Sequence, residues 1–269
     1  MLIHKVNMDH REVGRYWNQN AAVWTRLTRA GYDVYRDYLN TPAFFEILRD
    51  VNQLSGLDIG CGEGHNTRLL AKRGAQVTAV DISEVFVRHA QGWEDQEPLG
   101  IDYRVASAVE LPFPDSSFDF VTAFMSLMDI PEPDRVIAQV YRVLKPGGFL
   151  QFSISHPCFD TPHRRNLRDE EGRTYAYEVG DYFRNMEGDV TEWTFSAAPP
   201  EVRQEVPNFK VPRFTRTISQ WLNLLIETGF VLERIEEPCP DDETLRQCPK
   251  LQDARVVAYF LHIRARAKS

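Results

Sequence analysis

The sequence predicts an α/β fold: a doubly wound, mostly parallel sheet with helices before it and one long insertion within it. Three observations carry that expectation. From Gly56 onward, short β-like runs alternate with helix-like ones, the rhythm of parallel strands joined by crossover helices. The first strand-to-helix turn, "LDIGCGEGHNT" (57–67), places glycines at Gly60, Gly62 and Gly64. The chain, at 269 residues, is long enough to bury a substantial core.

The elements follow in order. "SGLDIG" (55–60) reads as the first strand, and "NTRLLAKRG" (66–74) as a helix ending at Gly74. "AQVTAVD" (75–81) is a second strand, and "SEVFVRHAQ" (83–91) a helix with Ser83 as its N-cap. "IDYRVAS" (101–107) gives a third strand; "FDFVTAFMS" (118–126), announced by the turn-rich "PFPDSS", gives a fourth. "PDRVIAQVYRVL" (133–144) has helical period, with Pro133 in its first turn and "KPGG" closing it. "FLQFSIS" (149–155) is a fifth strand.

The rhythm then breaks. Residues 156–214 carry many prolines, aromatics and charges without sustained period, as expected of a lid or binding insertion. Order returns at "TISQWLNLLIETG" (217–229), where Thr217 and Gln220 have capping-box spacing and Gly229 ends the helix. "FVLERIEEP" (230–238) and "ARVVAYFLHIRA" (254–265) supply two last strands around a Pro- and Asp-rich loop. Residues 11–50 read as helical and unusually aromatic.

Composition narrows the function classes. With 31 Lys and Arg against 39 acids, the formal net charge is −8. That argues against a nucleic-acid partner, because phosphate binding relies on clustered basic residues. The basic tail "RARAKS" (264–269) reads as a solvated terminus. The apolar run "VVAYFLHI" (256–263) is far too short to span a bilayer, and "MLIHKVNMDHREV" lacks a signal-peptide core, so no membrane partner is expected. Four cysteines form no CxxC pair and no metal-ligand spacing, which makes a reduced, cytoplasmic setting the default and no metal the expectation. Oligomeric state is not legible.

The glycine turn sets the ligand question. Backbone without side chains at a strand end lets a ligand approach closely, and the following helix adds oriented N–H groups. Asp81, ending the second strand, can accept from both hydroxyls of a ribose. A dinucleotide and an adenosyl ligand fit equally well to this point. A dinucleotide fingerprint is G-x-G-x-x-G, whereas this turn is G-x-G-x-G with His65 where that pattern needs glycine. The acid Asp58 also disfavours a pyrophosphate and favours the ammonium and sulfonium of S-adenosylmethionine. Spacing and charge both favour the adenosyl ligand.

Four segments in this order, "LDIGCGEG" (57–64), "VTAVDIS" (77–83), "ELPFPDSSFDFV" (110–121) and "YRVLKPGGFL" (141–150), resemble the class I S-adenosylmethionine-dependent methyltransferases, in particular the small-molecule type 11 branch. The resemblance runs from about Leu54 to Ser155 and resumes weakly in the last strands. It implies a Rossmann-like sheet of seven strands, the last antiparallel, with S-adenosylmethionine across the strand ends. Asp58 and the backbone of Gly60, Cys61, Gly62 and Gly64 would face the methionine part. Asp81 would bind the ribose, with Ile82 packing on the adenine. Where the family usually has an acid for the adenine amino group, this chain has Ser107, then Ala108 and Val109. Phe124 to Ser126, with Met125 between them, would lie under the sulfonium, and Tyr16 and Trp17 would cover the cofactor from an N-terminal helix. One domain is expected over 1–269: a helical cap (1–50), a cofactor-binding half (51–155), a lid or acceptor-binding insertion (156–214) and a closing part (215–269).

Methyl transfer chiefly requires alignment and exclusion of water; a base is needed only for a protonated acceptor. His156, at the end of the fifth strand, is one candidate base, and its plainer reading is a turn residue before Pro157. Asp129 is the other, and its plainer reading is a loop or cap acid. Cys158 has no neighbour in sequence to activate it. Tyr177, Tyr182, Phe183, Trp193 and Phe195 are candidates to line an acceptor pocket, with core packing as the alternative. Arg213 and Arg216 lead into the pocket and suit an acidic acceptor. The expected activity is methyl transfer from S-adenosylmethionine to a small, partly apolar or aromatic acceptor. The alternatives are a cofactor-binding sensor and a dinucleotide-dependent oxidoreductase.

Overall fold

The computed structural model describes residues 8–268; the reading of residues 1–7 as leaderless lies outside them. The first strands are β1 (Ser55–Ile59), β2 (Gln76–Asp81), β3 (Asp102–Val105), β4 (Phe118–Phe124) and β5 (Leu144–Ser155). The insertion contributes β6 (His163–Arg168), β7 (Thr174–Gly180), β8 (Glu187–Trp193) and β9 (Phe209–Phe214). The chain ends on β10 (Phe230–Glu236) and β11 (Phe260–Ala267). One sheet of seven strands has the order β10-β11-β5-β4-β1-β2-β3. β1 to β5 pair in parallel, and the last strand, β11, runs antiparallel to both β5 and β10.

Alternation within the strands explains why both faces are covered. Leu57, Ile59, Val80, Val121, Ala123, Leu150, Phe152 and Ile154 belong to one apolar cluster. That cluster takes Val136, Ile137 and Val140 from α5 (Pro133–Val143), and Trp221 and Leu225 from α7 (Ile218–Thr228). Their neighbours along the strands, Val77, Ala79, Phe120 and Phe149, join a second cluster. It is completed by Leu70 of α3 (His65–Ala71) and by Val87 and Ala90 of α4 (Glu84–Gln96). Parallel strands buried on both sides are expected to read this way. The caps also form as expected: Ser83 accepts from the Phe86 N–H at 3.2 Å, and Thr217 with Gln220 makes a capping box.

The N-terminal region is α1 (His10–Arg29), a break at Gly31, a π-helical turn over Arg36–Asn40, and α2 (Thr41–Glu46). The remaining helices are α6 (Pro200–Glu205) and α8 (Asp242–Gln247).

Three expectations need correction. The insertion is not irregular: β6 pairs with β7 and β8 with β9 as two antiparallel ribbons. Burial along β6 and β8 is mostly partial, whereas β9 buries Phe209 and Val211 against α1. Asn20 of α1 clasps the Lys210 backbone from both sides, at 2.9 and 3.1 Å, and Trp24 packs against Trp193, Phe195 and Phe209. Second, the loop before the last strand contains α8, capped by Asp241, and a 3₁₀ segment over Pro249–Arg255, so the strand starts at Phe260. Third, Arg264 and Arg266 are strand residues paired with Glu233, not a solvated tail.

Gly56 sits in β1 where an added Cβ would fall 2.1 Å from the ring of the fully buried Phe120. Overpacking of this kind costs about 1–3 kcal/mol. Gly56→Ala is therefore expected to lower the thermal midpoint by roughly 2–4 °C for each kcal/mol lost; an unchanged midpoint would show that the Phe120 ring yields freely.

Candidate functional site

The strand order reverses between β1 and β4, the switch point where open α/β sheets bind ligands. The chain leaves β1 through Gly60, whose φ is +68°. A side chain there would be strained and would place its Cβ 2.3 Å from Cβ of Ser126. Ser126 instead donates its hydroxyl to the Ile59 carbonyl at 2.9 Å, locking the loop after β4 onto the glycine turn.

The two strand-end acids are held differently. Asp58 is 3% exposed, and its oxygens accept from the hydroxyls of Thr67 (2.6 Å) and Thr122 (2.7 Å). Burial pushes its carboxyl up to about 6 against those two hydrogen bonds, and the nearby Asp81 adds to the rise. Asp81 accepts from the Gly62 N–H (2.9 Å) and the Ser83 N–H (2.8 Å), and burial raises it to about 6 as well. Each carboxylate oxygen has a second lone pair, so both acids keep acceptor capacity toward a ligand.

A cavity of about 870 Å³ opens over this turn. Among the sequence-derived cofactor residues, Trp17, Asp58, Gly60, Cys61, Gly62 and Asp81 line it. So do Ile82, Ser107, Ala108 and Met125. Gly64, Val109 and Tyr16 do not. Gly64 shapes the start of α3 with φ +91°, Val109 is core with its N–H given to the Ser107 hydroxyl, and Tyr16 lies outside the lining. Burial raises the Cys61 thiol well above its ordinary value, so it is inert.

The two candidate bases separate. His156 is 2% exposed and lies outside the lining. Its Nδ1 accepts from the Cys158 N–H at 3.2 Å, which puts the proton on Nε2, 2.6 Å from Glu237. One ring nitrogen is spent on the turn into the insertion and the other on Glu237 after β10, outside the cavity lining, so the expectation of a base at His156 is corrected. Asp129, in the 3₁₀ turn Leu127–Asp129 after β4, does line the cavity. Burial pushes its carboxyl up to about 7; Arg213 opposes the rise and Asp160 adds to it. Of the acceptor-side aromatics, Tyr182, Trp193 and Phe195 line the cavity. Tyr177 does not, and Phe183 is 88% exposed.

Sequence reasoning missed the charged partners drawn in from the N-terminal helices. Glu63, inside the glycine turn, is buried and paired with Arg36 at 3.0 Å, while its Oε2 is buried without a hydrogen bond. His65 is held neutral: burial, then the charge of Arg36, lowers it to about 4. A lone Glu among glycines was a visible signal; its partner, 27 residues earlier, was not.

These residues fit S-adenosylmethionine: bare backbone at Gly62 with open space where a Cβ would stand, and three buried acids for a cationic ligand. The match to known proteins agrees. Residues 57–152 match the family model described as a methyltransferase domain. The chain belongs to the S-adenosylmethionine-dependent methyltransferases and takes S-adenosylmethionine as its cofactor. It is 39% identical over 162 residues to a ubiquinone biosynthesis O-methyltransferase of Coxiella burnetii, covering 59% of this chain and 68% of that one. A crystal structure of an S-adenosylmethionine-dependent methyltransferase from Mesorhizobium loti superposes with a TM-score of 0.68 at 29% identity, covering 84% of this chain and 96% of the other. A Listeria monocytogenes structure ascribed to the same class gives 0.69 at 25% identity, over 86% and 97%. The sensor and oxidoreductase alternatives give way to this family. No helix among the described residues is long and apolar enough to cross a membrane.

If the ionised Asp81 carboxylate receives the ribose hydroxyls, its elevated value of about 6 sets a pH limit on binding. Affinity for S-adenosylmethionine is expected to hold above pH 7 and to fall below pH 6, where protonation removes an acceptor. Calorimetric titration from pH 5 to 8 checks this, with Asp81→Ala expected to lose at least tenfold at pH 7.5. An affinity flat across that range would refute the ribose role.

Proposed function

We propose that the enzyme methylates a hydroxyl oxygen of a small, partly apolar or aromatic acceptor, with Asp129 taking the proton. The observation that carries this reading is one continuous cavity. It joins the glycine turn and Asp81, through Asp129, to the aromatic wall of Trp24, Trp193 and Phe195. The name of the Coxiella relative, an O-methyltransferase, supports oxygen as the methylated atom.

When bound, S-adenosylmethionine supplies a methyl group on a sulfonium that departs as a neutral thioether. Asp58, Asp81 and the Gly60–Gly62 backbone would hold its methionine and ribose parts, and Ile82, Ser107 and Ala108 its adenine. Around them the chain has three tasks. Asp129 accepts the hydroxyl proton as the acceptor oxygen forms its bond to carbon. A carboxyl near 7 is matched to that task, because a substantial fraction is ionised at neutral pH while the group is still basic. The aromatic wall orients a flat acceptor and excludes water. The ribbon β8/β9, held to α1 by Asn20 and Trp24, closes that wall.

The test is a labelled-methyl assay on fractionated cell extract, with label expected in the small-molecule fraction. For the identified acceptor, kcat/KM should rise with pH through about 7 and level off above it, since Asp129 must be deprotonated to act. Asp129→Asn is expected to lower kcat by about 10²–10⁴ and to flatten that profile. A variant that keeps the wild-type rate and pH profile would remove Asp129 from the mechanism.

A further inference from the structure

The cations in the cavity wall are not equivalent. Arg36 pairs with Glu63 at 3.0 Å, and Arg213 pairs with Asp160 at 2.8 Å. Arg164 lies 3.6 Å from the same Asp160. Arg216 lines the cavity with no carboxylate in ion-pair reach among the described residues. Its Nη2 donates only to the carbonyls of Ile130 (3.3 Å) and Pro131 (3.0 Å). Its Nη1 is buried with no hydrogen-bond partner. The ring of Trp221 lies 5.6 Å from the guanidinium carbon.

A guanidinium in such a place is costly. Burying a charge without a counter-ion is unfavourable, and a buried donor left unpaired adds the cost of its lost hydration. Burial lowers the Arg216 value to about 10, only partly offset by the more distant Asp134, so the group stays charged at neutral pH. Backbone carbonyls fix its position without neutralising it. Those carbonyls belong to the two residues after Asp129, so Arg216 is tied to the same loop, and both side chains line the one cavity. With Nη2 held by the carbonyls, the unpartnered Nη1 is left to donate a charge-assisted hydrogen bond to a carboxylate oxygen.

We infer that Arg216 is the specificity residue of the acceptor half: the acceptor bears a carboxylate that Arg216 binds, as well as the hydroxyl presented to Asp129. This deepens the proposed function and rests on it. The acceptor is then a small hydroxylated acid, apolar or aromatic in its body and anionic at one end. Arg213 is less free for the same role, because it is already ion-paired with Asp160, which it shares with Arg164.

The labelled-methyl assay is repeated with wild type, Arg216→Met and Arg216→Lys, and small-molecule products are sorted on an anion exchanger at neutral pH. The labelled product of the wild type is expected to be retained. Arg216→Met should cut that product at least tenfold, Arg216→Lys should restore part of it, and S-adenosylmethionine affinity should be unchanged in both. Labelled product that passes unretained, or retained product undiminished in Arg216→Met, would overturn the inference. Absence of label with wild type would instead count against the proposed function. The thermal midpoint of the ligand-free protein then decides for Arg216. A group kept for a ligand leaves Arg216→Met at least as stable as wild type, whereas a fall of several degrees would show a structural residue and overturn the assignment.

Discussion

Asp58 ties together the three elements that meet beneath the cavity. One oxygen takes the hydroxyl of Thr67 in the first turn of α3, and the other takes the hydroxyl of Thr122 in β4. The carboxylate therefore fixes the start of a helix and the neighbouring strand to the end of β1, across the glycine turn. Removing one partner would leave a buried acid half satisfied, the arrangement that costs most in a low-dielectric interior. The bare backbone of Gly60 then lets Ser126 close in from the other side. The turn is rigid because its neighbours leave it no alternative path.

The same clamp concentrates negative charge. Asp58 and Asp81 both sit at strand ends, and burial disfavours their ionised forms. Between the unfolded carboxylate range near 4 and the folded value near 6, the native state binds more protons, so these groups cost stability as pH rises through 6. That cost is tolerable in a site that receives a cation, since a sulfonium or ammonium nearby favours the ionised acids. At the acceptor end the imbalance has the opposite sign, at Arg216. The donor end thus suits a cationic ligand, and Arg216 is the arginine of the lining without an ion pair among the described residues.

The sheet and its turn were legible in the sequence because local rules decide them. Alternation set β1 to β5, Ser83 and the Thr217/Gln220 pair set helix starts, and positive φ required glycine after β1. What was not legible depends on partners far along the chain. The β8/β9 ribbon is held by Asn20 and Trp24, which lie far along the chain from Lys210 and Trp193 and follow no short period. The direction of the His156 ring is set by Glu237, 81 residues later. Asp129 and His156 looked alike as strand-end candidates, and only the tertiary fold aims one into the cavity and the other into a turn. The cap of α8 is a different case: Asp241 before "DETLRQ" was a local signal within a stretch read as loop.

The division between what transfers from relatives and what does not follows from this construction. The family match, residues 57–152, contains Asp58, Asp81, the glycine turn and Asp129. It contains neither ribbon, nor Trp24, nor Arg216. The donor half is made of strand ends whose positions are enforced by ladder hydrogen bonds on both sides, so a change there disturbs the sheet itself. The acceptor half is made of side chains reaching across from α1 and the insertion, held by contacts that can be exchanged without unpairing a strand of the main sheet. Chemistry at the sulfonium is therefore the part of the function that fold and family carry together, whereas the choice of acceptor resides in residues such as Arg216, where the relatives' names lose their force and the local electrostatics decide.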